Sequence, residues 1–243
     1  MASRAEPLPT KADGGLRSAI RAAGFDFYYE SIRVVPANIL WGISLLAVLA
    51  VAIDGGPLLT LAVAPLMAIP YVGIVRLAAL AARSRDVVLS DVFRAYREFG
   101  LAALGIGTLT TLAVALLASN VVVGATMGGL GGWVFATLAA SGLLGVWVVG
   151  FPTWVLVVDP NRADRPLRDR LRLAVLLVLA APGRMAALGA LLLVVLLIST
   201  VAFAALLTIS VSYAALVAAR YVLPLADRLE AWIVAREAGP ANG

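Results

Sequence analysis

Apolar residues run along this chain in long blocks separated by short polar or glycine-rich breaks. A transmembrane helix needs about 20 mostly apolar residues, because the hydrocarbon core is about 30 Å thick. The first four blocks place spans near residues 36–53, 57–82, 100–123 and 132–158. The block from Met185 to Leu225 has no comparable break. At 1.5 Å per residue it would reach about 60 Å as one helix, twice the hydrocarbon thickness. It is expected to fold back as two spans, 185–207 and 209–225. The turn falls near Thr208-Ile209-Ser210, with Ser199-Thr200 as the alternative.

Three further segments repeat apolar residues at helical spacing but are too polar to span. Residues 86–99 carry Leu89, Val92, Phe93, Tyr96 and Phe99 on one face, with Asp91, Arg94, Arg97 and Glu98 opposite. This stripe is expected to pack beneath the bundle, because Phe99 runs straight into the third span at Gly100. Residues 162–181 place Arg162, Arg165, Arg168, Arg170 and Arg172 ahead of an apolar run that ends at Pro182-Gly183. Residues 16–35 repeat Ile20, Ala23 and Phe27. All three read as membrane-interface anchors, with a docking surface for a cytoplasmic partner as the alternative. Residues 1–16 read as a flexible tail rather than a signal peptide, 17–236 as one membrane domain and 237–243 as a C-terminal tail.

Composition supports the membrane reading. Hydrophobic residues make up 62% and charged residues 14% of the chain, against about 45–50% and 25% in soluble domains. Charge then sets the orientation. The outer loops of a six-span bundle, around Asp54, Gly124–Gly131 and Thr208, hold none of the 19 basic residues. Positive charge collects on the cytoplasmic side, so both termini are expected there. A five-span fold would strand Arg220, Arg228 and Arg236 outside. The same placement explains the basic balance through lipid and topology rather than nucleic acid.

Cysteine and histidine are absent, and the one lysine is Lys11. Thiolate or imidazole metal sites, Cys/His nucleophiles and an intramembrane Ser–Lys pair are therefore excluded. Neither a P-loop nor a pair of intramembrane acids is present, so no enzyme and no cofactor are expected. The polar candidates within the spans are Arg76, Arg220 and Asn38. The arginines are near enough to the cytoplasmic face to snorkel, and Asn38 can bond across helices. Gly124, Gly128, Gly132, Ala136 and Ala140 recur every fourth residue, a spacing that lets helices pack closely. Packing inside the bundle is the favoured use of this stripe, with a homodimer seam as the alternative. Pro65 and Pro70 interrupt the second span and Gly150-Phe151-Pro152 the fourth, as broken helices do in transporters.

Span one opens on Asn38-Ile39-Leu40-Trp41, and the second span carries Thr60, Pro65 and Ala68 ahead of Arg83. Asp91-Val92-Phe93-Arg94-Ala95-Tyr96-Arg97-Glu98-Phe99 then leads into the third. These segments resemble the YesL-like family of bacterial membrane proteins over roughly residues 30–225. The chain departs from that family at Val92, where an aromatic is usual, and at Ala64, where glycine precedes the proline. The resemblance implies an accessory or regulatory role in carbohydrate uptake beside an ABC-transporter permease, in the bacterial plasma membrane. It supplies no catalytic residues. A small-solute transporter or channel and a dimerising scaffold are the alternatives.

Overall fold

The computed structural model describes residues 15–237. Apart from residues 15, 16 and 237, the expected tails lie outside the described residues, as does Lys11. The elements follow in the order α1 (Leu16–Asp54), α2 (Gly56–Val63), a 3-10 turn (Ala64–Met67), α3 (Ala68–Ala82), α4 (Ser90–Met127) and α5 (Gly129–Val157). A second 3-10 turn (Pro160–Arg162), α6 (Leu167–Ala180), α7 (Pro182–Val201), α8 (Phe203–Ala205), a π turn (Leu206–Ser210) and α9 (Val211–Glu237) complete the chain. Among the described residues, six helical segments are long and apolar enough to cross a membrane, with α2–α3 and α8–α9 each counting as one. The fold is an all-α membrane bundle, as the apolar blocks predict.

Two of the turns at the arginine-free end use glycine. Gly56 (φ 73°) reverses the chain between α1 and α2, and Gly128 (φ 66°) with Gly129 (φ 64°) joins α4 to α5. Only glycine enters this region freely. The third turn lies at Ala202 (φ −98°, ψ 70°). This corrects the expected position at Thr208, which instead sits inside the π turn. The fifth span is therefore Pro182–Val201 rather than 185–207, and the sixth helix starts at Phe203 rather than 209. The alternative position, Ser199-Thr200, lies two residues before Ala202 and is the nearer of the two, although neither Gly nor Pro marks the break.

The second span is interrupted as expected, by the 3-10 turn Ala64–Met67: Pro65 opens it, and Pro70, in the first turn of α3, has no N–H for the Leu66 carbonyl. The fourth span differs from expectation, since α5 runs through Pro152 without interruption. Thr153 donates to the Val149 carbonyl at 2.8 Å beside Pro152. The Gly128–Gly132 segment is a tight corner rather than a flexible loop, since helix resumes at Gly129. Residues 16–35 and 90–99 are not separate surface helices, because they are continuous with α1 and α4.

The buried core is concentrated toward the charged end. It is built from the inner face of α3 (Val72, Ile74, Val75, Leu77 and Ala78 among them), Val92, Ala95 and Phe99 of α4, Val155 to Val158, Leu173, Ala174 and Leu177 of α6, Met185, Leu188 and Leu192 of α7, and the inner face of α9. At the other end Leu58, Leu116, Leu130, Trp133 and Val201 stay exposed, as side chains facing lipid do. Single cysteines check the orientation against a chain that has none of its own. Cysteine at Asp54, Leu130 or Ala202 should react with an impermeant thiol reagent outside intact cells. Cysteine at Asp164 or Arg85 should react only after lysis, and external labelling of Asp164→Cys would overturn the orientation expected from the charges.

Candidate functional site

The charged end holds a closed lattice of ion pairs. Arg83, just past α3, grips Asp159 through Nε (3.1 Å) and Nη2 (2.8 Å), and Asp227 of α9 through Nη1 (2.6 Å) and Nη2 (2.9 Å). Arg162 bonds Asp159, Asp227 at 2.7 Å and Glu230 at 2.7 Å. Arg165 closes the set on Glu230. Three cations meet three carboxylates, so the lattice is neutral. Its inner members are dry, with the Asp159 side chain 0% and that of Arg162 2% exposed, while Arg165 at 51% faces water.

Proton affinities follow these partners. The Asp227 hydrogen bonds raise the pKa of Arg83 against the opposing effect of burial. Burial works against charge on Arg162, but Glu230, Asp227 and Asp159 outweigh it and the net shift is upward. Arg170 is shifted downward because burial dominates there. An arginine stays charged in all these cases. The lattice is therefore a fixed ionic clamp between α3, the segment after α5, and α9.

The two candidate intramembrane arginines are also committed. Arg76 donates to the Val158 carbonyl at 2.6 Å, and its guanidinium lies 5.6 Å from the Phe99 ring centre. Arg170 lies 6.0 Å from the same ring centre and donates to Val157 and, at 2.9 Å, to Ala163. The pair thus caps the end of α5, whose last carbonyls lack helical donors. Arg220 holds Asp26 of α1 in a bidentate pair (2.6 and 2.7 Å) and reaches the Ala81 carbonyl at 3.1 Å. Its head is tied to the protein rather than reaching for lipid. The α1 segment around Asp26 is likewise docked, with Ala19 and Ala23 buried and Phe27 edge-on to Tyr213.

Asn38 is fully buried and bonds across helices, as expected. Its Nδ2 donates to the Leu206 (3.1 Å) and Leu207 (2.8 Å) carbonyls, and its Oδ1 accepts from the Ser212 backbone N–H (2.7 Å) and hydroxyl (2.9 Å). These groups flank the π turn, where the regular helical ladder is broken. One turn along α1, Gly42 lets the turn approach closely, since a Cβ there would stand 2.8 Å from the Leu207 oxygen.

The stripe of small residues packs within the chain. A Cβ on Gly124 would lie 2.7 Å from the Ala136 nitrogen and 2.8 Å from the Gly132 oxygen, so α4 and α5 meet backbone to backbone. Ala136 is buried and Ala140 is half-buried, while Gly128 is exposed at the corner. Gly124→Ala should therefore cost about 1–3 kcal/mol through overpacking. Gly100→Ala, with open space around it, should stabilise α4 by about 0.5–1 kcal/mol. Thermal melts in detergent separate the two signs.

The 86–99 stripe is rotated from expectation. Val92 and Phe99 are buried and Tyr96 covers Gly73, whereas Phe93 is 52% exposed and Leu89 38%. The face against α3 runs Val92, Ala95, Tyr96, Phe99, Ala103. Phe93 is one residue, or about 100°, off that line and touches Tyr96 edge-on.

Above the clamp, between α5 and α7, opens a cavity of about 850 Å³. Trp41, Tyr71, Trp147, Phe151 and Trp154 line it, with Leu192 on the α7 side. Tyr71 meets Trp154 edge-on at 5.2 Å, and the Trp147 ring N–H is spent on the Gly189 carbonyl at 2.9 Å. The lining is aromatic and aliphatic, fit for apolar molecules and poor for ions. Among the described residues, no group of His, Cys, Asp or Glu is placed to hold a metal ion.

Compared with protein-family models, curated proteins and solved structures, the chain matches none. Sequence reasoning named Arg76, Arg220 and Asn38 but missed the ionic lattice. The available signal was Asp227 and Glu230 three residues apart on one face of α9.

Proposed function

We propose that this protein is a non-enzymatic accessory or regulatory component of the bacterial cell membrane, with both termini in the cytoplasm. One observation carries the proposal. The three polar candidates within the spans are spent on closing helix ends and a helix break: Arg76 on Val158, Arg220 on Asp26 and Ala81, Asn38 on the π turn. Such groups build a rigid frame. Catalysis and ion coupling instead need polar groups left available to a substrate. The resemblance to YesL-like proteins supplies the process, carbohydrate uptake, and the partner to test, an ABC-transporter permease.

The test has two arms. Tagged protein purified in mild detergent from cells growing on a sugar should carry the permease subunits in stoichiometric amount, and deleting its gene should lower uptake of that sugar. Pure protein in liposomes should move no labelled sugar. Sugar accumulation by the protein alone, or unchanged uptake after deletion across a sugar panel, would overturn the proposal. The aromatic cavity favours one second reading, a carrier for apolar solutes. Faster passage of an apolar dye through the same liposomes than through protein-free ones would select it.

A further inference from the structure

A second recess lies at the charged end, between the end of α6, the start of α7 and the end of α9, with a volume of about 300 Å³. Its floor is apolar, formed by Leu177, Leu225 and Leu229, and its rim carries Arg184, Arg228 and Trp232. Arg236 adds a third cation close by, its guanidinium 5.1 Å from the Trp232 ring centre. The contrast with the neighbouring clamp is informative. Arg83, Arg162 and Arg165 all hold carboxylates, whereas among the described residues neither Arg184 nor Arg228 is in an ion pair and no acid lines the recess.

Unneutralised arginines over a leucine floor fit a molecule with an anionic head and an apolar tail. Tryptophan at the rim is the side chain enriched where headgroups meet acyl chains. Basic pockets between transmembrane helices on the cytoplasmic side are suited to anionic lipid headgroups. We propose that this recess binds one anionic phospholipid of the adjacent leaflet, its phosphate between Arg184 and Arg228 and the top of one chain on Leu177 and Leu229. A volume of about 300 Å³ is at the small end for ligand sites, which suits a phosphoglycerol head and excludes a bulky one. The inference does not depend on the accessory role.

The experiment follows thermal unfolding of the full chain in detergent as phosphatidylglycerol or phosphatidylcholine is added. Phosphatidylglycerol at a hundredfold excess over its Kd should raise Tm by roughly 5–10 °C, and phosphatidylcholine should not. The double variant Arg184→Gln/Arg228→Gln should bind phosphatidylglycerol roughly thirtyfold more weakly, from about fivefold for each arginine beside an anionic headgroup. Both residues are exposed, so the variant should fold. Native mass spectrometry with phosphatidylglycerol near the parent's Kd supplies an independent readout, with one lipid on about half of the parent and on almost none of the variant. Arg17→Gln, on α1, should keep the parent response. An equal shift in the double variant, or with phosphatidylcholine, overturns the proposal. So does reproduction of the shift by inorganic phosphate alone, which would reveal an anion site without a lipid.

Discussion

Arg162→Met should destabilise the protein by about 3–5 kcal/mol, the range for removing one member of a buried ion pair. The substitution keeps most of the side-chain volume, so the cost is electrostatic. Asp159 is fully buried and would retain Arg83 as its one ionic partner, beside the Asn161 backbone N–H, while Glu230 and Asp227 would each lose a donor. Arg165→Met is the matched control. Its side chain is 51% exposed and shares Glu230 with Arg162, so it should cost no more than about 1 kcal/mol. Melting of purified variants in detergent gives both values. If the two variants melt together within error, the lattice is a surface feature and the clamp fails. Asp159→Asn should fall near Arg162→Met, since it removes the same charge pair from the other side.

This lattice shows where the sequence stopped being informative. The spans were legible because lipid demands long apolar runs and topology sorts the arginines, and both signals are local. The clamp is not local. Arg83 and Asp159 are 76 residues apart, and Arg83 and Asp227 are 144 apart. Positive charge on one side of a membrane is expected in any case, so Arg83 and Arg162 read as topology signals with no need of partners. The turn at Ala202 was legible only as the alternative at Ser199-Thr200, for another reason. Its backbone turns at negative φ, which any residue adopts, so neither Gly nor Pro was required. Phe93 failed through phase. A stripe drawn from every apolar residue is too wide, and packing against Gly73 selected the line through Val92 and Tyr96.

Asn38 was named from sequence, yet the feature it serves was hidden, because no residue pattern distinguishes a π turn from ordinary helix. That dependence makes Asn38→Leu informative. Leucine has similar size but offers neither donor nor acceptor, so the Leu206 and Leu207 carbonyls and the Ser212 N–H would lose their partner in a water-free region. An unsatisfied buried polar group costs about 1–3 kcal/mol, and three together predict a loss of about 3 kcal/mol or more. Single interhelical bonds in membranes average only about 0.6 kcal/mol, because polar groups there find other partners. Here the alternatives are few, since the Leu206 and Leu207 carbonyls and the Ser212 N–H all turn to one side chain. Gly42→Ala should perturb the same turn sterically by about 1–3 kcal/mol, as its Cβ would press on backbone. The two losses should therefore add incompletely in the double variant. Ser44→Ala, whose hydroxyl bonds only the Leu40 carbonyl of its own helix, should change stability by less than about 0.5 kcal/mol. An Asn38→Leu protein within 1 kcal/mol of the parent would mean that the π turn regularises without its partner. Asn38 would then follow the break in α8–α9 rather than hold it.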